Sequence, residues 1–351
     1  MTAKLQNKKQ AILVTGGAGF IGSHMVELLI KLGHPTVILD KLTYAGREEN
    51  LSNSLDNELV EFVVRDINDK QLVLELLHAN DIHYLMNFAA ETHVDNSIRE
   101  PSKFIETNIL GTASLLDAFR EFQTKSINED LKFIQISTDE VFGELTSKAS
   151  PFDEDTKYQP NSPYSASKAS ADHLVRAWHK TFNIPTVTTH CSNNFGPRQD
   201  LEKLIPKITT NAIKGLELPI YGNGMQIREW IYVADHCEGI YKAATLGRPG
   251  QSYCFGGELE IQNISLVEKI CKLLEELHPK SGKGSYFEQI KFIEDRPGHD
   301  FRYAIDDSKA RKKLGYSPQT KFDCALRRTV SYYLQQHLND LDHLNGSSEP
   351  Q

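Results

Sequence analysis

Thr15-Gly16-Gly17-Ala18-Gly19-Phe20-Ile21-Gly22 is the stretch whose reading decides the fold. It follows the apolar run AILVT at 11–15 and opens residues 20–33, which read as a helix. Glycines between a strand and a helix allow a tight turn and let bare backbone approach a pyrophosphate at the helix N-terminus. A Gly-x-Gly-x-x-Gly match alone is equally a glycine-rich β-turn. The flanking strand and helix, and Asp40 about twenty residues further on, argue against that alternative. Asp40 closes the run TVILD, where its carboxylate accepts from adenosine ribose hydroxyls and repels a 2′-phosphate, favouring NAD over NADP. Lys41 and Arg47 pull the other way, because a cation accommodates the extra phosphate.

Outward from this motif, AILVT, TVILD, EFVVRDI, YLMNFAA, KFIQIST and PTVTTHC alternate with helical segments at 20–33, 69–79, 101–124 and 164–182. That alternation predicts an α/β protein with a Rossmann-like, doubly wound parallel sheet. After Asn193 glycines and prolines multiply, then REWIYVADH returns toward the first domain, so a smaller substrate-binding lobe is interleaved in sequence. The expected boundaries are a flexible 1–10, a nucleotide-binding domain over 11–192 with a return around 227–247, a lobe from 193–226 and 248–338, and a fraying tail at 339–351. Helices are expected in the lobe over 262–278 and 307–338.

Composition narrows the function classes. A net charge of -8 opposes general nucleic-acid binding, which needs clustered cations, while a small anionic ligand needs only a local basic pocket. No apolar run approaches membrane-spanning length, and a cytosolic location is expected. The five cysteines are widely spaced without a Cys-x-x-Cys pair, and the histidines form no ligand motif, so neither disulfides nor a metal is expected.

Two segments carry chemistry. Tyr164-Ser165-Ala166-Ser167-Lys168 puts a phenol and an ammonium four residues apart on one helical face. The ammonium is expected to lower the phenol pKa and make Tyr164 a base for a hydroxyl. Ile136-Ser137-Thr138-Asp139-Glu140-Val141-Phe142-Gly143 then sets adjacent carboxyls at the end of the fifth strand, where open α/β sheets bind ligands. Both can reach one substrate only if the chain turns there, and two carboxyls in different protonation states give one acid and one base. An Asp helix cap beside a solvated Glu is the plain alternative.

The motifs VTGGAGFIGSH, DKLTYAG, FAAETHVDNSI, ISTDEVFGEL, SPYSASKASADHLVRAW, CSNNFGP and EDRPGHDFRYAID, in that order, resemble the extended short-chain dehydrogenase/reductase family over nearly the whole chain, and within it the nucleotide-sugar dehydratases. The resemblance implies a redox-neutral dehydration of a nucleotide-diphosphate-glucose, dTDP-glucose first, to its 4-keto-6-deoxy product with NAD regenerated. Tyr164 would take the C4 hydroxyl proton with Lys168 beside it, Thr138 bind the C4 oxygen, Glu140 take the C5 proton and Asp139 protonate the departing C6 hydroxyl. The cofactor set it implies is Gly16, Gly19, Phe20, Ile21, Gly22, Asp40, Lys41, Leu42, Thr43, Asp66, Ile67, Phe88, Ala89, Ala90, Thr107, Tyr164, Lys168 and Asn194. Thr92, Thr138 and Asn193 would contact the sugar or its diphosphate. Lys203, Leu204, Pro219, Ile220, Tyr221, Arg228, Asn263 and the run Asp295, Arg296, Pro297, Gly298, His299 would enclose the nucleotide diphosphate.

Phe142 and Phe195 stand where the family more often has tyrosine, and Thr92 where it has serine. A 4-epimerase or decarboxylase of the same superfamily would share the glycine turn and the Tyr164/Lys168 pair, but an epimerase has no need of the carboxyl pair. A catalytically silent NAD-binding regulator would keep Asp40 and the glycines without needing the acid/base set. The resemblance also implies a homodimer built as a four-helix bundle from 101–124 and 164–182. Leu110, Leu115, Leu116, Ala118 and Phe119 on one helix, and Leu174, Val175, Ala177 and Trp178 on the other, are expected at the contact.

Overall fold

The apolar runs read as strands have no polar face to offer water, which suits a sheet covered on both sides. The structure, a computed structural model, describes residues 9–128, 130–280, 282, 284–295 and 297–346. Its strands are β1 (Ala11–Thr15), β2 (Thr36–Asp40), β3 (Val60–Val64), β4 (Ile82–Asn87), β5 (Lys132–Ile136), β6 (Thr186–Cys191), β7 (Asn193–Phe195), β8 (Leu218–Tyr221), β9 (Ile227–Tyr232), β10 (Gln251–Phe255), β11 (Leu259–Gln262) and β12 (Ile290–Ile293).

Seven of them form the main sheet in the order β10-β6-β5-β4-β1-β2-β3, every pairing parallel. Strand order reverses between β1 and β4, the point where such sheets open a crevice at their carboxyl ends. Alternate side chains sort to opposite faces. Leu13, Leu39, Leu85 and Phe133 pack under the helices Lys70–Ala79, Thr112–Lys125 and Pro163–Phe182. Ile12, Val14, Ile38 and Ile134 pack under Phe20–Lys31 and Val233–Leu246. At the reversal, Thr15 Oγ1 donates to Asn87 Oδ1 at 2.7 Å and Asn87 Nδ2 donates to Gln135 Oε1 at 2.9 Å, tying three strand ends together.

The second sheet, β11-β9-β7, and the parallel pair β8-β12 belong to a separate apolar cluster with the helices Leu204–Ile213, Asn263–Leu277 and Phe322–Gly346. Leu266, Val267, Ile270 and Leu274 recur at helical spacing on Asn263–Leu277 and are all fully buried there. Glu229 of β9 is the buried polar anchor, accepting backbone N–H bonds from Gly257, Glu258 and Ile305.

Several sequence expectations need correction. The segment 248–338 does not lie wholly in the lobe, because β10 pairs with β6 and extends the main sheet. Within 227–247 the chain divides: β9 joins the small sheet, and only the helix after it packs on the main one. The helix expected over 307–338 is two, Ser308–Leu314 and Phe322–Gly346. Gly315 closes the first at φ 62, a left-handed cap that glycine adopts without strain, and Pro318 follows. The second continues past 338 to Gly346, into the expected tail; residues 1–8 and 347–351 of the expected flexible ends lie outside the described residues. The helix expected over 101–124 has a wider π segment at Ile105–Gly111, flanked by Pro101–Phe104 and Thr112–Lys125.

The expected dimer contact also changes. Leu115, Leu116, Ala118, Phe119 and Val175 are buried against the chain's own sheet. Leu174 and Trp178 pack against the same cluster, and the Trp178 indole N–H donates to Asp117 Oδ1 at 3.1 Å. Leu110 is exposed, and so are Ile98, Ile105 and Phe182 on the same layer of helices.

Candidate active site

The glycine turn is shaped for close approach. Gly16 has φ 69, and a Cβ there would stand 2.6 Å from the Ala89 backbone nitrogen on the neighbouring strand end. A Cβ on Gly22 would stand 2.2 Å from the Gly16 carbonyl oxygen, so the helix can begin this close to β1 only with glycine. Asp40 holds the turn: its Oδ2 accepts from Ala18 N at 3.0 Å and its Oδ1 from Leu42 N at 2.8 Å. Each oxygen keeps a second lone pair for a ribose hydroxyl. Burial raises the Asp40 carboxyl above its ordinary value, against the two backbone N–H bonds.

From this turn one continuous cleft runs over the carboxyl ends of the main-sheet strands. It is lined by Gly16, Gly19, Phe20, Ile21, Gly22, Asp40, Lys41, Thr43, Ile67, Phe88, Ala89, Ala90, Thr107 and Asn194, then by Thr92, Thr138, Asp139, Glu140, Tyr164, Lys168, Asn193 and Lys203. Leu42 and Asp66 stand behind the lining. Leu42 packs at the edge of the core, and Asp66 Oδ2 accepts from Lys41 Nζ at 3.2 Å. The same ammonium donates to Thr107 Oγ1 at 3.3 Å, a residue presented by the π segment.

The chemical end is held by two local structures. Ser162 and Ser165 form a reciprocal capping box with Pro163 at the first helical position, and this fixes where the helix carrying Tyr164 and Lys168 begins. After β5 the chain turns at once. Thr138 Oγ1 accepts from Glu140 N at 3.3 Å and caps the short 3-10 turn Asp139–Phe142, which ends at Gly143 with φ 91. The turn lets adjacent carboxyls face one cleft, the condition that two neighbours on a continuing strand fail.

The two carboxyls do not share an environment. Asp139 is 2% exposed and its Oδ2 has no hydrogen-bond partner among the described residues, while Glu140 is half-buried. Burial first, then Glu140 and Glu229, push the Asp139 carboxyl well above its ordinary range, with Arg228 opposing. Of the two carboxyls, Asp139 is the one whose surroundings favour the protonated form.

Tyr164 departs from expectation. Burial first, then Glu140, Cys191 and Asp139, push its phenol well above its ordinary value. Lys168 does not offset this: burial lowers its ammonium, and Nζ donates to the Ile136 carbonyl at 2.7 Å.

The second-lobe residues occupy other places. Leu204 and Ile220 pack in the lobe core. Pro219 and Tyr221 lie on β8 beside β12. Tyr221 OH donates to Asp95 Oδ2 at 3.3 Å and its ring meets His299 edge-on, while His299 Nδ1 lies 2.6 Å from Asp295 Oδ1. Asn263 Oδ1 is buried without a hydrogen-bond partner among the described residues. The Arg228 fork, expected on phosphate, donates to the carbonyls of Ile227, Phe301 and Asp300 and lies over the Tyr303 ring. Pro297 and Gly298 form a turn, with Gly298 at φ 66 beside the Asn161 carbonyl, and Arg296 lies outside the described residues. Leu39, Arg65, Glu91, Ser137, Cys191, Ser192 and Gln199 line the cleft without having been given a site role from the sequence. Ser137 was the most accessible of these, since it directly precedes Thr138.

The donors fit an adenine dinucleotide: bare backbone at a helix start for the pyrophosphate, a strand-end carboxyl for the ribose, and Tyr164 and Lys168 at the far end. Fold and cleft together define a dinucleotide-dependent α/β enzyme with an acid–base set at the sheet's reversal point. The chain belongs to the family described as GDP-mannose 4,6 dehydratase, whose model matches residues 13–329. It is 48% identical over 336 residues to the dTDP-glucose 4,6-dehydratase of Shigella flexneri, with 92% of each chain covered. The solved dTDP-glucose 4,6-dehydratase of Streptomyces venezuelae, with NAD bound, superposes with a TM-score of 0.85 at 39% identity, covering 93% of this chain and 98% of that one. The UDP-glucuronic acid 4-epimerase of Bacillus cereus superposes with a TM-score of 0.82 at 29% identity, covering 93% of this chain and 100% of that one.

Proposed function

We propose that this chain catalyses the NAD-dependent dehydration of dTDP-glucose to the 4-keto-6-deoxy sugar. The carrying observation is the pair Asp139 and Glu140, adjacent on one turn in the cleft with Tyr164 yet unlike in burial. Held by the glycine turn and Asp40, NAD would supply a hydride acceptor for C4 and, once reduced, the hydride that returns to C6. Tyr164 takes the C4 hydroxyl proton in its phenolate form, against the burial that favours the neutral phenol, while Thr138 holds the C4 oxygen. The resulting ketone acidifies C5–H, Glu140 removes that proton, and Asp139 delivers its own proton to the departing C6 hydroxyl so that water leaves; as hydride adds at C6, Glu140 returns its proton to C5, and the proton taken by Tyr164 balances the one Asp139 gave up. Burial first, then the neighbouring carboxyls, shift Asp139 toward the protonated form, the state an acid requires.

Thr92, Asn193 and Lys203 serve the sugar and diphosphate from the cleft wall. Lys203 Nζ already spans to the Thr92 carbonyl at 2.9 Å, linking the start of Leu204–Ile213 to the main domain. Arg228, Asn263, Tyr221 and 295–299 serve the nucleotide from the second lobe, with Arg228 exchanging carbonyl partners for phosphate oxygens.

The homodimer is part of the same reading, supported by the exposed Ile98, Ile105, Leu110 and Phe182 on the helical layer over one face of the sheet. A cytosolic location is also part of it, supported by five free cysteines, four of them buried. No helix among the described residues is long and apolar enough to cross a membrane.

The 4-epimerase reading shares the fold and the Tyr164/Lys168 pair, so overall shape cannot separate the two; the carboxyl pair does. Incubating purified protein with dTDP-glucose, UDP-glucose and CDP-glucose and resolving the products tests this. Formation of the 4-keto-6-deoxy sugar from dTDP-glucose supports the proposal. Epimerised hexose without dehydration overturns it.

A further inference from the structure

Where Ser137 and Lys168 line the cleft, a buried polar cluster continues inward to Asp172, Tyr158 and His190, to which the steps above assign no role. Lys168 and Asp172 are one turn apart on the buried face of the helix Pro163–Phe182. Each bonds to one of two consecutive residues at the end of β5: Lys168 Nζ donates to the Ile136 carbonyl at 2.7 Å, and Ser137 Oγ donates to Asp172 Oδ2 at 2.6 Å. The next residues are Thr138, Asp139 and Glu140. These two bonds therefore staple the strand end that carries the acid/base turn to the helix that carries Tyr164.

Asp172 is 4% exposed and receives a second hydroxyl, Tyr158 OH, at 3.2 Å. Tyr158 OH also lies 2.7 Å from His190 Nε2, and His190 of β6 stands 3.4 Å from the same carboxylate oxygen. A carboxylate this buried is sustained by charge-assisted hydrogen bonds and by a nearby cation.

We propose that Asp172 is a positioning residue for this chemistry: held by Ser137 and Tyr158, it supplies the buried negative charge that keeps Lys168 protonated, and through Ser137 it aligns the Thr138–Glu140 turn with Tyr164. The inference rests on the function proposed above. The titratable groups facing Lys168 are Asp172 on its own helix and Cys191 on β6; those facing Asp172 are Lys168, Tyr158 and His190, with Glu154 beyond His190. Burial lowers the Lys168 ammonium and Asp172 is the first of the groups raising it, so removal of the carboxylate shifts its titration to lower pH.

The test uses Asp172→Asn, which deletes the charge but leaves an oxygen for the Ser137 hydroxyl, and Tyr158→Phe, which removes one donor and keeps the carboxylate. In full-length protein labelled with 13C at lysine Cε, the Lys168 resonance is assigned by its loss in Lys168→Met. We expect its titration to move down by about one pH unit in Asp172→Asn and to stay near the wild-type value in Tyr158→Phe, which keeps the carboxylate. In parallel, the basic limb of the pH profile for cofactor reduction by dTDP-glucose moves in the same direction. A resonance and a basic limb unmoved or moved to higher pH in Asp172→Asn overturn the proposal, as does an equal downward shift in Tyr158→Phe; Asp172→Ser takes its place if Asp172→Asn does not fold. The NMR measurement needs neither substrate nor turnover. Wild-type protein that fails to reduce its cofactor with dTDP-glucose would thus count against the proposed function, while leaving the Asp172–Lys168 coupling to be decided by the titration.

Discussion

Asp139 is 2% exposed while Glu140, the next residue in the same short turn, is half-buried, so neighbouring carboxyls meet different amounts of water. In the proposed mechanism oxidation at C4 needs Tyr164 and not these groups, which gives the pair a separable signature. In Asp139→Asn combined with Glu140→Gln, substrate still reduces bound cofactor but C5 and C6 do not lose water. Near-ultraviolet absorbance of reduced cofactor accumulates while 4-keto-6-deoxy product falls. General acid–base groups contribute roughly 10²–10⁴-fold each, so the double variant retains little turnover. Full dehydration activity in that variant would remove both residues from the mechanism.

The same burial has a consequence for stability. A carboxyl whose folded pKa is raised above its unfolded value contributes stability that is present below the unfolded pKa and is lost as pH rises toward the folded one. Asp139 is such a group, so its ionisable carboxyl weighs against the folded state at neutral pH. Asp139→Asn removes that penalty. Its melting temperature should exceed that of the wild type near pH 7, with the gap closing as pH falls to about 4, the ordinary range of an Asp carboxyl. Scans of both proteins across that window check it, and a gap that widens toward acid contradicts the environment described for Asp139.

Most of this arrangement was legible in the chain because its signals are local. Glycines at a strand–helix junction, Asp40 at the next strand end and Tyr164 one helical turn before Lys168 need only short-range geometry to be read. What escaped depends on partners distant in sequence. Gln251–Phe255 joins the main sheet because β6, some sixty residues earlier, offers an edge, and no periodicity within 248–255 reports that. Leu115, Leu116 and Phe119 look equally apolar whether they face the sheet or a second copy, and only packing chose the sheet. The Tyr164 phenol was expected to be lowered by a nearby ammonium, yet burial and two carboxyls push it up. Spacing in sequence identifies neighbours but not solvent. The break at Gly315 could have been read, since glycine followed by Pro318 is a helix stop.

Gly16 offers a test of the cofactor end. In Gly16→Ala the new methyl would meet Ala89 N at 2.6 Å and Ala89 Cα at 2.7 Å, both backbone atoms of the adjoining strand end, at a φ of 69 that alanine seldom adopts. Strained backbone of this kind costs about 1–3 kcal/mol. The wild-type protein should purify with NAD, because a cofactor regenerated in every cycle has no need to leave. The variant should melt lower and carry much less. Acid extraction and quantitation of nicotinamide nucleotide per chain give the comparison, and equal amounts in the two proteins would show that the turn does not hold the cofactor.

The exposed apolar residues set a last expectation. Ile105 and Leu110 are 50% and 57% exposed on the π segment, and Ile98 is 44% exposed just before it, whereas Leu115, Leu116 and Phe119 on the same layer are fully buried. A monomer would leave this group in water, and a second copy related by a two-fold axis would cover each patch with its equivalent. Because Ile105 and Leu110 contribute little to the chain's own core, Ile105→Glu with Leu110→Glu should leave the fold intact and place like charges across the symmetric contact. Light scattering is expected to give twice the chain mass for the wild type at micromolar concentration and a monomer for the double variant, with unchanged far-ultraviolet circular dichroism. A wild type that scatters as a monomer would end the dimer proposal. A double variant that stays dimeric would move the interface away from this face.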